Sequence, residues 1–462
     1  MPTARVITLG CAKNEVDSED IAGVLAESGY TLDSRAHHAD LVVINTCGFL
    51  EAAKQESLAV IRKAVRSKGR AKVVVAGCLV QRMGDQIAQL APGADAYVGV
   101  GQMSRIGEIA RRCAARAGAG DQPLVDAPPP YHRWADVPTR LRSGTPWSAY
   151  LKVSEGCDHR CTFCTIPSFR GPHRSKPIER VLAEARHLAA QGAVEINLIA
   201  QDVTQYGFDL YREYTLPKLL RKLHEVDGVE WIRLLYLYPS RVTDELIEAL
   251  ATLPKMVHYV DMPLQHAHPE VLRRMRRPWD GERYLRLFER LRVAMPDCAI
   301  RSTFIVGFPG ETEEEFSFLL QFLREAKLDR MGAFQYSREF GTPSFDMPGQ
   351  VPAKVRARRY DRLMGVQQAI SLERGRRWIG QSMLVLAESP RDDWTICRSH
   401  RDAPEIDGVV FVEGKLAPGT FHRVQVAAAT EYDLYATPDG VGGSASRKRL
   451  TPLRLSAPSS PR

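Results

Sequence analysis

At 462 residues the chain is too long for one core, and a prior of roughly 150 residues per domain predicts two or three domains. Its 44% hydrophobic content can fill such cores, but no apolar run reaches the roughly 18 residues of a membrane span, and MPTARVITLG carries no basic stretch leading into an apolar one. A cytoplasmic protein with no membrane is expected, and its balance of 63 basic against 55 acidic residues, +8, permits a nucleic-acid or ribosome-associated partner without requiring one.

The first region, 1–113, reads as an open parallel α/β sheet, with the apolar runs RVITLG, LVVINT and VVVAG as strands. The stretch 114–146, rich in Gly, Ala and Pro, reads as a linker. From 147 to 350 six strand-like runs, YLKVS, EINLIAQ, WIRLLYLY, HYVDM, IRSTFIVG and MGAFQYS, alternate with helical stretches. About six βα units in succession predict a parallel sheet curled into a partial barrel. Thr312 and Glu315 stand at capping-box spacing before one of its helices. A basic connecting helix is expected over 351–381, a small β-barrel over 382–439, and a Ser, Pro and Arg-rich disordered tail over 440–462.

Nine cysteines, an odd number in a chain with no export signal, argue against a disulfide framework and for metal or catalytic use. CDHRCTFC places Cys157, Cys161 and Cys164 just past the first barrel strand, at the carboxyl end where parallel barrels carry their chemistry. Thiolate-bound metals usually take four ligands. A zinc reading would recruit His159, His132 or His173 as the fourth, although structural zinc cysteines normally come as paired knuckles. A purely apolar role suits poorly a loop that also holds Asp158, His159, Arg160 and Thr162. The remaining reading is a four-iron cluster with one iron left open to a substrate or cofactor. Cys11, Cys47 and Cys78 each follow an apolar run of the first region. If those runs are neighbouring parallel strands, their carboxyl ends share one edge and the thiols converge as a second set. Cys113, Cys298 and Cys397 are read as structural.

The C-x3-C-x2-C spacing, with Phe163 between the second and third thiols and about six βα units around it, resembles the signature of the radical S-adenosylmethionine enzymes. That resemblance implies that S-adenosylmethionine binds the open iron and is cleaved by one electron to a 5′-deoxyadenosyl radical, chemistry no side chain supplies. Two three-thiol sets ahead of a small β-barrel resemble the methylthiotransferases, in which an N-terminal domain, a radical domain and a TRAM domain follow in this order. The likeness runs from LGCAKNEVDSE to about Tyr435. It implies two 4Fe-4S clusters, a second S-adenosylmethionine as methyl source, and an electron donor and sulfur source that the sequence does not identify.

LGCAKNEVDSE, LLYLYPSRVTDEL, VDMPLQHAHPEVLRRMRRP and APEIDGVVFV resemble the RimO branch, which modifies the β-carbon of an aspartate in the decoding-centre small-subunit ribosomal protein numbered twelve. Gln265, His266 and Ala267 stand where the alternative branch, acting on a transfer RNA adenosine, has Gln-Ser-Gly. The resemblance suggests cofactor contacts at Gln201 and Asp202, in place of the usual Gly-Gly-Glu, and at Gly307, Gly310 and Glu311; the barrel-end context suggests a polar substrate or cofactor contact at Gln265 and His266, against a plain surface loop, and Arg170 reads as a partner for a substrate or cofactor carboxylate or as a surface arginine. His266 and His268 also read as an HxH metal pair, and FIVGFPGET as a tight turn into the Thr312-capped helix. From Ser382 to Tyr435 five basic minus nine acidic residues leave −4, which predicts an acidic face toward a basic ribosomal protein rather than toward phosphates. Two rival classes stay in view. An Fe-S electron carrier would need four-thiol clusters. An RNA-binding module would use the basic helix from Lys354 to Arg377 and the tail Arg447-Lys448-Arg449.

Overall fold

A computed structural model describes residues 1–33, 35, 39–116, 122–130, 134 and 140–439; His132 and the tail from Gly440 lie outside them. The runs of Val, Ile and Ala in the first region form an all-parallel, six-stranded sheet, in the order Thr31–Leu32, Thr3–Thr8, Leu41–Thr46, Lys72–Gly77, Ala96–Val98 and Leu124–Asp126. Successive side chains of a strand face opposite ways, so Val43, Val74 and Ala76 join one core and Ile44, Val73 and Val75 the other. The last strand, Leu124–Asp126, falls inside the stretch read as linker. Composition marked that stretch as loop-like, but three residues suffice to pair with Ala96–Val98.

The six barrel runs form a second all-parallel sheet, ordered Arg330–Gln335, Ala299–Val306, Met256–Asp261, Trp231–Leu234, Glu195–Ile199 and Ser148–Lys152. Its end strands do not pair with each other, which leaves a part-barrel. Leu151, Ile196, Leu198, Ile232 and Leu234 pack outward under the helices. Tyr150, Ile199, Trp231, Leu235 and Tyr259 form a separate inner core, which Val16 enters from the first region and Leu386 and Ala403 from the last. Thr312 and Glu315 form the capping box at the start of Glu313–Ala326.

Helix Ala353–Arg376 leads to a closed five-stranded barrel of Ser382–Arg391, Trp394–Ser399, Val410–Glu413, Leu434–Pro438 and Phe421–Ala429. Part of the charge counted there is paired inside the protein. Asp402 pairs with Arg330 and Asp407 with Arg301, while Glu388 takes Arg398. Arg398 and Arg401 in turn reach Glu195 and Asp329 of the part-barrel. The exposed charges are Asp392, Asp393, Glu405 and Glu413 beside Arg391, Lys415 and Arg423, four against three, and the rest of the −4 lies on the half-buried Glu388, Glu431 and Asp433, because the two acids and two bases paired across the domain boundary cancel. Among the described residues no helix is long and apolar enough to cross a membrane.

Candidate functional site

Three tight turns bring Cys11, Cys47 and Cys78 to one edge of the first sheet. Gly10 holds φ +99°, and a Cβ there would lie 2.7 Å from the Cys47 Cβ; one on Gly48 would lie 2.8 Å from the Leu79 Cα. Neither approach is open to a residue with a side chain. Asn14 ties the turns together, its amide donating to the carbonyls of Leu9 at 2.7 Å and Thr46 at 3.1 Å. Ser57 accepts from the Cys47 N–H at 3.2 Å and donates to its carbonyl at 2.9 Å. Burial pushes the Cys78 thiol up to about 12, against the charge of Arg170.

The loop of Cys157, Cys161 and Cys164 closes on itself through the Cys164 N–H to the Cys161 carbonyl, 3.2 Å, and is pinned by the Cys157 N–H to the Gly171 carbonyl, 3.0 Å. Burial pushes the Cys157 thiol up to about 12 as well. Arg277 sits 3.9 Å from the Cys161 sulfur, over the Tyr238 ring at 4.3 Å. Three thiols brought together at each place, once deprotonated on binding a cation, are a donor set suited to a metal group.

Among the described residues no three Cys, His, Asp or Glu side chains are gathered as one ion's ligands, whereas a cluster takes each thiolate on a separate iron. Of the three histidines a zinc site would recruit, His132 lies outside the described residues and the other two have partners. His159 stacks on Tyr238 at 3.7 Å and bonds Asp202 at 2.7 Å, and His173 bonds Ser175 at 3.1 Å.

The other predicted residues fall into distinct places. Asp202 backs the thiol loop: it meets His159, accepts from Arg241 at 3.0 Å and takes the Thr204 N–H at 2.9 Å. Burial opposes its charge, but the hydrogen bonds from His159 and Thr204 and the Arg241 cation hold it below the usual carboxylate range. Gln201 donates to Glu155 at 2.6 Å and keeps its Oε1 buried with no partner among the described residues, an acceptor suited to an ammonium group. Gln265, four residues past the strand Met256–Asp261, takes a left-handed φ of +77° and bridges to Phe304. His266 is fully buried, accepts the His268 N–H at 3.0 Å and leaves its Nε2 without a partner among the described residues; burial, with His268 and two arginines, drives it down to about 3, so it is neutral. His268 instead caps the following helix at Glu270, so the HxH pair does not converge. Glu311 turns inward to the N–H groups of Gly307 at 2.6 Å and Phe308 at 3.1 Å and to Arg359 at 3.0 Å, which makes it the clasp of the turn through Gly307 and Gly310. Cys113, Cys298 and Cys397 are buried in three separate cores, as expected.

Arg170 departs most from its expected place. It reaches away from its own loop into the first region, meeting Cys78, Asn14 and Asp17. Around it Lys152 pairs with Asp17 and with Glu155 at 2.9 Å, all four side chains being almost wholly buried. Asn14, Asp17, Lys152, Glu155 and Arg277 were not singled out from sequence. The available signal was AKNEVDSE, where a helix starting at a thiol carries polar residues on the face an amphipathic helix would bury.

Comparison with known proteins follows the same three divisions. Residues 3–99 match uncharacterized protein family UPF0004, 151–323 the radical SAM superfamily and 379–438 the TRAM domain. A protein of Moorella thermoacetica named ribosomal protein uS12 methylthiotransferase RimO is 47% identical over 430 residues, covering 93% of this chain and 97% of its own length. One of the same name from Symbiobacterium thermophilum is 46% identical, covering 93% and 89%. Among solved structures, the radical S-adenosylmethionine methyltransferase TsrM of Kitasatospora setae, with cobalamin and a 4Fe-4S cluster bound, shares the fold at TM-score 0.54 and 18% identity, over 74% of this chain and 77% of that one.

Proposed function

The chain belongs to the RimO family of ribosomal protein uS12 methylthiotransferases, enzymes of the radical S-adenosylmethionine class, and from that membership we propose that it replaces a hydrogen on the β-carbon of a uS12 aspartate with a methylthio group. The reading places the reaction in the cytoplasm, with uS12 as partner and an electron donor and a sulfur source as further partners. It assigns one 4Fe-4S cluster to Cys157, Cys161 and Cys164 and a second to Cys11, Cys47 and Cys78. The observation that carries it is the docking of the two thiol-bearing edges on each other, with Arg170, six residues past Cys164, touching the Cys78 sulfur at 3.1 Å.

When bound, the cofactor and clusters supply the electron, the hydrogen abstraction and the sulfur that side chains lack. The protein's own part is to hold and orient. Gln201 offers its unpartnered oxygen to the cofactor's amino end, Asp202 fixes the thiol loop through His159, and the strained Gln265 with neutral His266 sets the wall at the fourth barrel strand. Glu311 shapes the turn through Gly307 and Gly310, whose backbone can approach a ribose or adenine closely.

The test is iron and sulfide analysis of anaerobically reconstituted protein, with 5′-deoxyadenosine and thiomethyl-uS12 as products. Alanine at Cys157, Cys161 and Cys164 is expected to halve the iron and abolish cofactor cleavage. Alanine at Cys11, Cys47 and Cys78 is expected to leave reductive cleavage and abolish thiomethyl product. Cleavage without the first set, or full turnover without the second, refutes the assignment.

A further inference from the structure

Arg170 ends the short helix Ile166–Arg170, which opens two residues after Cys164. Its guanidinium is 3% exposed and fully committed. Nε–H donates to the Cys78 sulfur at 3.1 Å, one Nη to Asp17 at 2.8 Å and Glu155 at 3.0 Å, and the other to Asn14 at 2.6 Å. The next residue, Gly171, accepts the Cys157 N–H at 3.0 Å. One dipeptide therefore grips the barrel set through its backbone and the N-terminal set through its side chain. Lys152 shares both carboxylates, so two cations meet two anions and the Nε–H is left for sulfur. A lysine could not do the same, because only the planar fork serves a thiol, an amide and two carboxylates at fixed angles.

We propose that Arg170 is a positioning residue that locks the N-terminal thiol set onto the barrel set and raises the reduction potential of the cluster held there, a proposal that rests on the two-cluster reading above. A hydrogen bond and a positive charge at a ligand sulfur in a water-poor site favour the more negative, reduced state of the group it binds.

The test uses full-length reconstituted protein carrying Arg170→Met, Arg170→Lys, or Arg170→Met with Asp17→Asn, the last removing the carboxylate that the first would strand. Iron per chain and the midpoint potential of each cluster are read by redox titration with electron paramagnetic resonance. The expected result is a downward shift of the N-terminal potential, or loss of that half of the iron, in both methionine variants, with the barrel cluster shifted less. Arg170→Lys restores the potential further than methionine does, because it keeps the charge. Equal iron and unchanged N-terminal potential in the charge-balanced double variant overturn the proposal. Full iron in the Cys11, Cys47 and Cys78 alanine variant instead overturns the cluster assignment beneath it, so the two failures read differently.

Discussion

Both ends of the part-barrel are closed by buried ions, but the ions do different things. At the amino end Glu195, with no exposure at all, accepts from Arg398 at 2.5 and 3.0 Å, from Arg233 at 3.1 and 3.2 Å and from Ser148 at 2.7 Å. Asp402 with Arg330 and Asp329 with Arg401 repeat the pattern beside it. There charges close on each other, and the effect is to fasten the last domain to the barrel floor. At the carboxyl end the same kinds of side chain enclose a thiol, and Arg170 divides its fork between carboxylates and sulfur. The difference teaches that a buried charge network marks chemistry when one of its donors is aimed at a reactive atom, and attachment when all are aimed at each other.

The comparison breaks most sharply at Glu195. Glu195→Gln strands Arg233 and Arg398 and is expected to cost about 3 to 5 kcal/mol in denaturant unfolding at neutral pH. Its pKa in the fold is about 2 against an ordinary 4.5; burial opposes the charge, but Arg398 and Arg233 outweigh it. A depressed carboxylate stabilises above its unfolded pKa, so this contribution is complete near neutrality and fades as the pH falls from 4.5 toward 2. The gap between wild type and variant should narrow over that same window, and a constant gap would show that the charge of Glu195 is not what fastens the domain.

A smaller effect is expected at the thiol end. Asp202→Asn leaves His159 without its anionic partner, and on the order of a 10-fold loss of iron retention by the barrel set is expected in chelator competition. Undiminished retention would move Asp202 to the attachment class. The smallest effect belongs to the outward acids. Asp392→Asn with Glu413→Gln should change unfolding by no more than about 0.5 kcal/mol and leave the salt dependence of uS12 binding as it was. Weakened binding would show that these outward acids form a docking face on the last domain.

The strand map was legible because apolar runs of four to eight residues between helical stretches admit little else than parallel strands. The convergence of Cys11, Cys47 and Cys78 was legible for the same reason, since each follows such a run. The partners of Arg170 were not, because Cys78 and Asp17 lie 92 and 153 residues away and a lone arginine carries no sign of where its fork ends. WIRLLYLY reads as one long strand, yet only Trp231–Leu234 pairs regularly, and Tyr236 turns left-handed at φ +65° with its N–H on Asp261. Which charges of the last domain face outward was not legible, because net charge counts ions without their partners, and Arg330, Arg301, Glu195 and Asp329, which hold four of them, belong to another domain.

The placing of Asp17 bears on how the protein is made. Ribosomes release the chain from its amino end, so the first sheet and its three thiols emerge well before the cations that neutralise Asp17, which lie 135 and 153 residues downstream. Glu19 waits likewise for Arg140, 121 residues on. Until then the helix Ala12–Glu27 must keep those carboxylates, buried in the finished chain, hydrated. Completion of the thiol-bearing edge is therefore timed by translation of the barrel's first βα unit. A nascent chain stalled before Arg170 would lack the guanidinium that meets the Cys78 sulfur, and that thiol, buried in the finished chain, would be more open to oxidants and scavenging metals.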